Sequence, residues 1–340
     1  MRSQKMNRFL FSFIVMQPYV WLYSPTPAHA ANTPACTASS AAAGNCYITP
    51  SEVTLTVKGV WYCYGEPGAP TATLANPAQN PGTRGNSGNI MVQASGTGCS
   101  PRLFNGSQDV TIADGISSGL TGVAGLGSTQ SYTWIALLLG PTISMKSSMQ
   151  FSATKTTIAT KYPTNTSGTA SVTTGGIHCY TTGGDFLVEN GGAASVECAA
   201  TSAAQTTNYK YNRIGSENYA TWTLSNGKTA KAWLLNSSNK LADALSSADV
   251  TRLQALVGGS TTDPFSAEPN PVTSLLVAFE NPFTYYKCAN LQKGTRGMAL
   301  SWYVTNSLRA EFSSTSEINL FSPASLDMFL TPVLKSGGAC

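Results

Sequence analysis

Charge is what this chain has least of: 11% of its 340 residues are Asp, Glu, Lys or Arg, under half of the about 25% usual in soluble domains. The formal surplus of +4 is too small for the basic stripe that releases counterions from a nucleic acid. No nucleic-acid partner is expected. The exterior must be dressed instead with Ser, Thr, Asn, Gln and Gly. Such a surface suits a protein that touches glycans, one that packs against copies of itself, or simply a neutral soluble exterior.

Histidine is scarcer still, with His29 and His178 the only two in the chain. Zinc sites draw several nitrogen or sulfur ligands, and a Ser-His-Asp triad would have to use His178, directly before Cys179. No metal and no cofactor is expected. Gly85-Asn86-Ser87-Gly88 has the outline of a nucleophilic serine motif, but Asn89 follows where a small residue belongs, and Gly and Pro crowd both flanks. A solvent loop is the better reading. Carboxylates are also sparse, with none between Asp114 and Asp185. Asp109 and Asp114 stand on opposite faces of a strand, which argues against the carboxylate pair of a glycosidase. No phosphate-cradling Gly loop or EF-hand pattern is present.

Long apolar runs are missing beyond the N-terminus. The longest later one, 134–143, contains Gly140 and Pro141 and is half of the about 20 residues that a helical membrane span needs. No transmembrane anchor is expected. The N-terminus differs. Arg2, Lys5 and Arg8 precede an apolar stretch over 9–23 and the small-residue pattern Ala28-His29-Ala30, the order of a secretory signal peptide cut after Ala30. Three of the 20 basic residues would leave with it while all 16 acidic ones stay, so the remaining chain is nearly neutral.

All eight cysteines follow that point, at Cys36, Cys46, Cys63, Cys99, Cys179, Cys198, Cys288 and Cys340. An even number after an export signal reads as a disulfide framework in an oxidising compartment. Sequential pairing is expected, because neighbours in sequence meet most cheaply: Cys36 with Cys46, Cys63 with Cys99, Cys179 with Cys198, and Cys288 with Cys340. The alternative for the terminal Cys340 is a bridge to another chain.

Most of the remaining sequence punctuates as β-structure. Val53, Leu55 and Val57 alternate with Thr54, Thr56 and Lys58, a half-buried strand leading into Val60-Trp61-Tyr62-Cys63-Tyr64. Segments 219–224 and 228–235 flank Ser225-Asn226-Gly227, a hairpin turn in which Asn-Gly accepts positive φ angles. Further strands are expected over 143–151 and 298–304. Two stretches read as helical. One, over about 240–257, is one kinked helix or two short ones. The other begins at Ser322-Pro323 and carries Leu326, Phe329 and Leu330.

An internal echo sets Trp61-Tyr62-Cys63-Tyr64, Cys99 and Trp134 beside His178-Cys179-Tyr180, Cys198 and Trp222. The sequence therefore predicts a mainly β protein of two disulfide-stapled, sandwich-like antiparallel domains. They span 31–163 and 177–340, joined by the Thr/Ser/Gly-rich stretch 164–176, and the second carries the short helices.

Trp61, Tyr62, Tyr64, Tyr285 and Tyr286 are the candidate binding residues. Stiff amphipathic rings stack on sugars and anchor interfaces, although aromatics beside a disulfide also pack as core. Export, disulfides, neutral β-rich composition and the missing catalytic set lead to one expectation. It is an exported, non-enzymatic surface or appendage protein, such as a pilus-associated adhesin or structural subunit. Its partners would be other subunits, including itself, or a glycan. The alternatives are a periplasmic or secreted module that binds glycan or another envelope protein, and a carboxylate-dependent secreted hydrolase.

Overall fold

The computed structural model describes residues 35–37, 44–67, 99–100, 103–113, 116–117, 120, 130–152, 155–157, 168–170, 176–188, 196–211, 219–224, 226–237, 241–242, 272–285, 297–312, 317–324 and 327–333. The described part is mainly β, with antiparallel sheets and disulfides and no helix. The strands of the first half are β1 (Gly44–Ile48), β2 (Glu52–Cys63), β3 (Phe104–Ala113), β4 (Ile116–Ser117), β5 (Gln130–Lys146), β6 (Ser148–Phe151) and β7 (Lys155–Thr157). Next come β8 (Gly168–Ala170), β9 (Ile177–Val188), β10 (Val196–Ala199), β11 (Gln205–Tyr211), β12 (Tyr219–Thr223) and β13 (Thr229–Leu235). The last are β14 (Ser274–Tyr285), β15 (Gly297–Tyr303), β16 (Leu308–Phe312), β17 (Glu317–Pro323) and β18 (Asp327–Val333).

The main sheet runs β10-β9-β11-β5-β14-β13-β12, with β2, β3, β4 and β6 attached to it. A second sheet runs β1-β16-β17-β7-β8, and β15 pairs with β18. Two ladders among these are parallel, β9 with β11 and β7 with β17. Strands from before and after 164–176 share the sheets: β5 lies between β11 and β14, and β1 pairs with β16. Within that stretch, β8 is itself sheet, antiparallel to β7.

The expected alternation holds along β2, where Val53, Leu55 and Val57 are buried and their neighbours half-exposed. A register shift between Val57 and Gly59 then changes the parity, as an extra residue in one strand does. Beyond it Val60 and Tyr62 continue the same apolar cluster, while Trp61 and Cys63 join a second one. The second cluster gathers Trp61, Trp134 and Trp233 with Leu138, Leu235, Leu276, Ala136 and Ala278. Ala136 stands directly opposite both Trp61 and Ala278. Small residues in the middle rows leave room for the three indoles, as close packing requires. The central strands are thus buried on both faces, and 134–139 reads as an unbroken apolar run for that reason.

Three of the expected disulfides are present: Cys36–Cys46, Cys63–Cys99 and Cys179–Cys198. Cys179 and Cys198 are direct ladder partners, and Cys63 and Cys99 form an antiparallel bridge. Cys288 and Cys340 lie outside the described residues, as do residues 1–30 and the serine motif at 85–88. The three bridges mark an oxidising environment.

The hairpin falls where expected, with a different turn. Gly227 has φ +79°, whereas Asn226 keeps a negative φ and its Oδ1 accepts the Lys228 N–H at 2.9 Å. Gly227 N–H closes on Leu224 O at 2.9 Å, and Leu224 N–H on Lys228 O at 2.8 Å. One left-handed residue after an i to i+3 turn replaces the two of the expected Asn-Gly turn.

The helix expected from Ser322 is not formed. Ser322 and Pro323 end β17 opposite Arg309 and Leu308, and Asp327–Val333 pairs residue for residue with Gly297–Tyr303. Sheet partners far away in sequence override the local cap signal. At the start of the other expected helix, Leu241 bridges to Leu235 and Ala242 N–H bonds Leu234 O at 2.9 Å. The rest of 240–257 lies outside the described residues.

The two copies of the internal echo do not occupy matching places. Trp134 is the ladder partner of Cys63, whereas Cys179 faces Met149 and Trp222 sits on β12 opposite Ala230.

Candidate functional site

Among the described residues, two places gather site-like side chains. The first holds part of the predicted aromatic set. Tyr62 packs against Tyr132 at 5.5 Å and edge-on to Phe283 at 4.8 Å, and Tyr64 lies 4.8 Å from Tyr132. Trp61 is on the other face of β2, in the tryptophan cluster. Trp61 and Tyr62 are both buried, and Tyr64 alone of the three keeps surface, held by Thr133 Oγ1 donating to its carbonyl at 2.9 Å. Tyr285 is the last residue of β14, opposite Gln130, and Tyr286 lies outside the described residues. Such ring pairs at 4.5–7 Å contribute cohesion beyond their buried area. This is a packed corner of the main sheet and presents little to a ligand.

The second place is a cavity of about 690 Å³ lined by Thr49, Pro50, Ser51, Ser148, Ser202, Ala204, Trp302, Tyr303, Val304 and Thr305. Four chain corners meet there: the β1–β2 link, the start of β6, the β10–β11 link and the turn after β15.

The corners are fixed by bonds that they or their neighbours in the sheet make. Ser51 N–H and Oγ–H both donate to Lys146 O, at 2.9 and 3.0 Å, tying the first corner to the end of β5. The buried Thr181 hydroxyl takes the Ser147 N–H at 3.1 Å and donates to Gln205 O at 2.6 Å. One side chain on β9 therefore locks the approach to Ser148 against the approach to Ala204. In the fourth corner, Ser307 N–H and Oγ–H reach Val304 O at 3.2 and 2.8 Å. Asn306 has φ +56°, the left-handed position that such a turn gives to Gly or Asn.

Its N–H donates to Thr49 Oγ1 at 3.0 Å, which ties the fourth corner to the first. Left-handed non-glycine residues that the surroundings hold in place are a feature of ligand clamps and active sites.

Among the described residues the lining contains hydroxyls and rings but no Asp, Glu, His, Lys, Arg or Cys. Four of the carboxylates among the described residues are engaged elsewhere. Asp109 accepts from Thr56 at 2.7 Å, Asp185 from Asn208 at 2.7 Å, and Glu280 from Lys228 at 3.0 Å. Glu66 pairs with Lys231. Lys58 donates to Thr273 O at 2.8 Å, and burial holds its amine below the ordinary value. Among the described residues no group of three metal-ligating side chains comes together.

None of the cavity residues was among the aromatic candidates read from the sequence. The only local signal was an Asn two residues past an expected strand end. No protein-family model matches the chain, and neither a curated protein nor a solved structure shows significant similarity to it.

Proposed function

We propose that the protein is an exported, non-enzymatic cell-surface protein that acts by holding a ligand or a neighbouring subunit, in the manner of a pilus-associated adhesin or structural subunit. The observation that carries this reading is the cavity lining. General acid–base catalysis needs a titratable group at the reacting atom, and a serine nucleophile needs an adjacent base. Among its described residues the cavity offers hydroxyls and aromatic rings, with the Tyr303 phenol its one titratable side chain and no carboxylate, imidazole, amine or thiol beside the serines. The three disulfides and the N-terminal pattern over 1–30 support export. The partners would be other subunits of the same surface structure, including further copies of this chain.

A second reading, a periplasmic or secreted module for glycan or an envelope protein, draws on the same cavity and differs in location. Shearing intact producing cells separates the two. Released material, outer membrane, periplasm and medium are each run without reduction or boiling and probed with a specific antibody. High-mass material in the sheared fraction is the expected result. Monomer confined to periplasm or medium would overturn the surface reading in favour of the module.

A further inference from the structure

The hydroxyls at the mouth of the cavity are polarised by bonds that the protein already makes. Thr49 Oγ1 accepts the Asn306 N–H, so it keeps its own proton to donate. Ser51 Oγ has spent its proton on Lys146 O, so it keeps only lone pairs to accept. The two residues flank Pro50 and are both exposed to solvent. Together they form an adjacent donor and acceptor whose roles are set before any ligand arrives.

The group complementary to that pair is an alcohol, which accepts from Thr49 while donating to Ser51. A carboxylate or phosphate dianion has no proton for Ser51, and an ammonium has no lone pair for Thr49. The described residues of the lining also carry no charge to compensate a charged ligand, and a buried uncompensated charge is costly.

The rest of the wall is of a different kind. Trp302, Tyr303, Val304, Pro50 and Ala204 supply apolar surface beside the further hydroxyls of Ser148 and Ser202. A molecule with hydroxyls along its edge and C–H groups on its faces uses both. The volume lies within the about 300–1,000 Å³ of small-molecule sites.

We propose that this cavity binds a neutral sugar, with Thr49 and Ser51 reading one hydroxyl as donor and acceptor and Tyr303 forming part of the wall against the ring. The proposal rests on the reading of the protein as one that holds a ligand, and it names the ligand class.

The test uses the full exported, oxidised protein on a panel of immobilised neutral and acidic glycans. Ser51→Ala removes the acceptor while the Ser51 N–H keeps its bond to Lys146 O. Ser148→Tyr fills the cavity from an exposed strand position. Circular dichroism and intact disulfides report that both variants fold. Binding of neutral glycans, weakened roughly tenfold by Ser51→Ala and abolished by Ser148→Tyr, supports the proposal. Binding only to acidic glycans, or neutral-glycan binding that neither variant changes, overturns it. An empty panel also overturns it, and if the protein is nevertheless in the sheared fraction, the surface reading stands without the sugar. Absence from that fraction overturns the surface reading whatever the panel gives.

Discussion

Thr49 and Asn306 meet across 257 residues of chain, with the Asn306 N–H donating to Thr49 Oγ1 at 3.0 Å. The bond requires the left-handed backbone at Asn306, which costs most L residues roughly 1–2 kcal/mol. Asn306→Gly should leave stability within about 1 kcal/mol of the parent, because glycine adopts that backbone without strain. Asn306→Val should destabilise by at least about 1–2 kcal/mol, since a β-branched residue is a poor fit there. Urea unfolding of the oxidised protein ranks the two, and equal losses would show that the backbone angle is not what matters.

Gly176 and Gly227 pose the same backbone demand in different surroundings. Both have positive φ, +93° and +79°. A methyl group at Gly227 would meet nothing within 4 Å, whereas at Gly176 it would lie 2.5 Å from the Phe151 carbonyl oxygen. Gly227→Ala should therefore cost about 1 kcal/mol from strain alone, and Gly176→Ala clearly more, because backbone must move. Thermal melts of the two variants check the ordering.

The three disulfides close loops of different length, with sequence separations of 36, 19 and 10 for Cys63–Cys99, Cys179–Cys198 and Cys36–Cys46. Loop-closure entropy gives each roughly 3–4 kcal/mol, with about 1 kcal/mol between the longest and the shortest. Replacing both cysteines of a pair by Ser should destabilise in that order. The Cys63–Cys99 pair should lose most, since both residues also sit in the tryptophan cluster. Denaturant midpoints of the three double variants give the comparison.

Alkaline pH should act on two phenols and one amine. Burial raises Tyr211 far above its ordinary 10.0. Burial also raises Tyr180, followed by the charge of the Glu197 carboxylate and its hydrogen bond. The folded chain keeps these phenol protons after the unfolded chain has begun to lose its own near pH 10, so stability falls as pH rises above 10. Lys58 runs the other way: its amine is lowered from 10.5 in the folded chain, so its contribution grows as pH climbs towards 10.5 and is lost as pH falls through the folded value. The net expectation is a decline above pH 10.5 of at most about 1.4 kcal/mol per pH unit for each phenol. Tyr211→Phe should flatten that decline in unfolding midpoints measured between pH 9 and 11.5, and an unchanged slope would remove Tyr211 as its source.

Features set by neighbours in sequence were legible from the residues. The alternation of Val53, Leu55 and Val57, the place of the hairpin at Gly227 and the three sequential disulfides depend on contacts within a few dozen positions. The parity change after Val57 was hidden, because a bulge is defined by the partner strand. Without it, the separation of Trp61 from Tyr62 onto different faces cannot be derived. The strand over 327–333 was misread for the same reason: Ser322-Pro323 carries a genuine cap signal, and the partner that overrules it begins at Gly297. The cavity was invisible because its hydroxyls come from 49–51, 148, 202 and 305, and serine and threonine are too common in this chain to stand out.

The position of β5 has a consequence for the order in which the molecule can be made. β5 ends at Lys146, but the strand beside it, β14, spans Ser274–Tyr285. As the chain emerges N-terminus first, Ile135, Leu137 and Leu139 on one face and Trp134, Ala136 and Leu138 on the other wait with one hydrogen-bonding edge unfilled. Such an edge is a template for pairing with other chains, and the long wait favours slow closure. A nascent chain stopped short of residue 274 would therefore present a sticky two-faced strand, and adding 274–285 as a separate peptide should cap it.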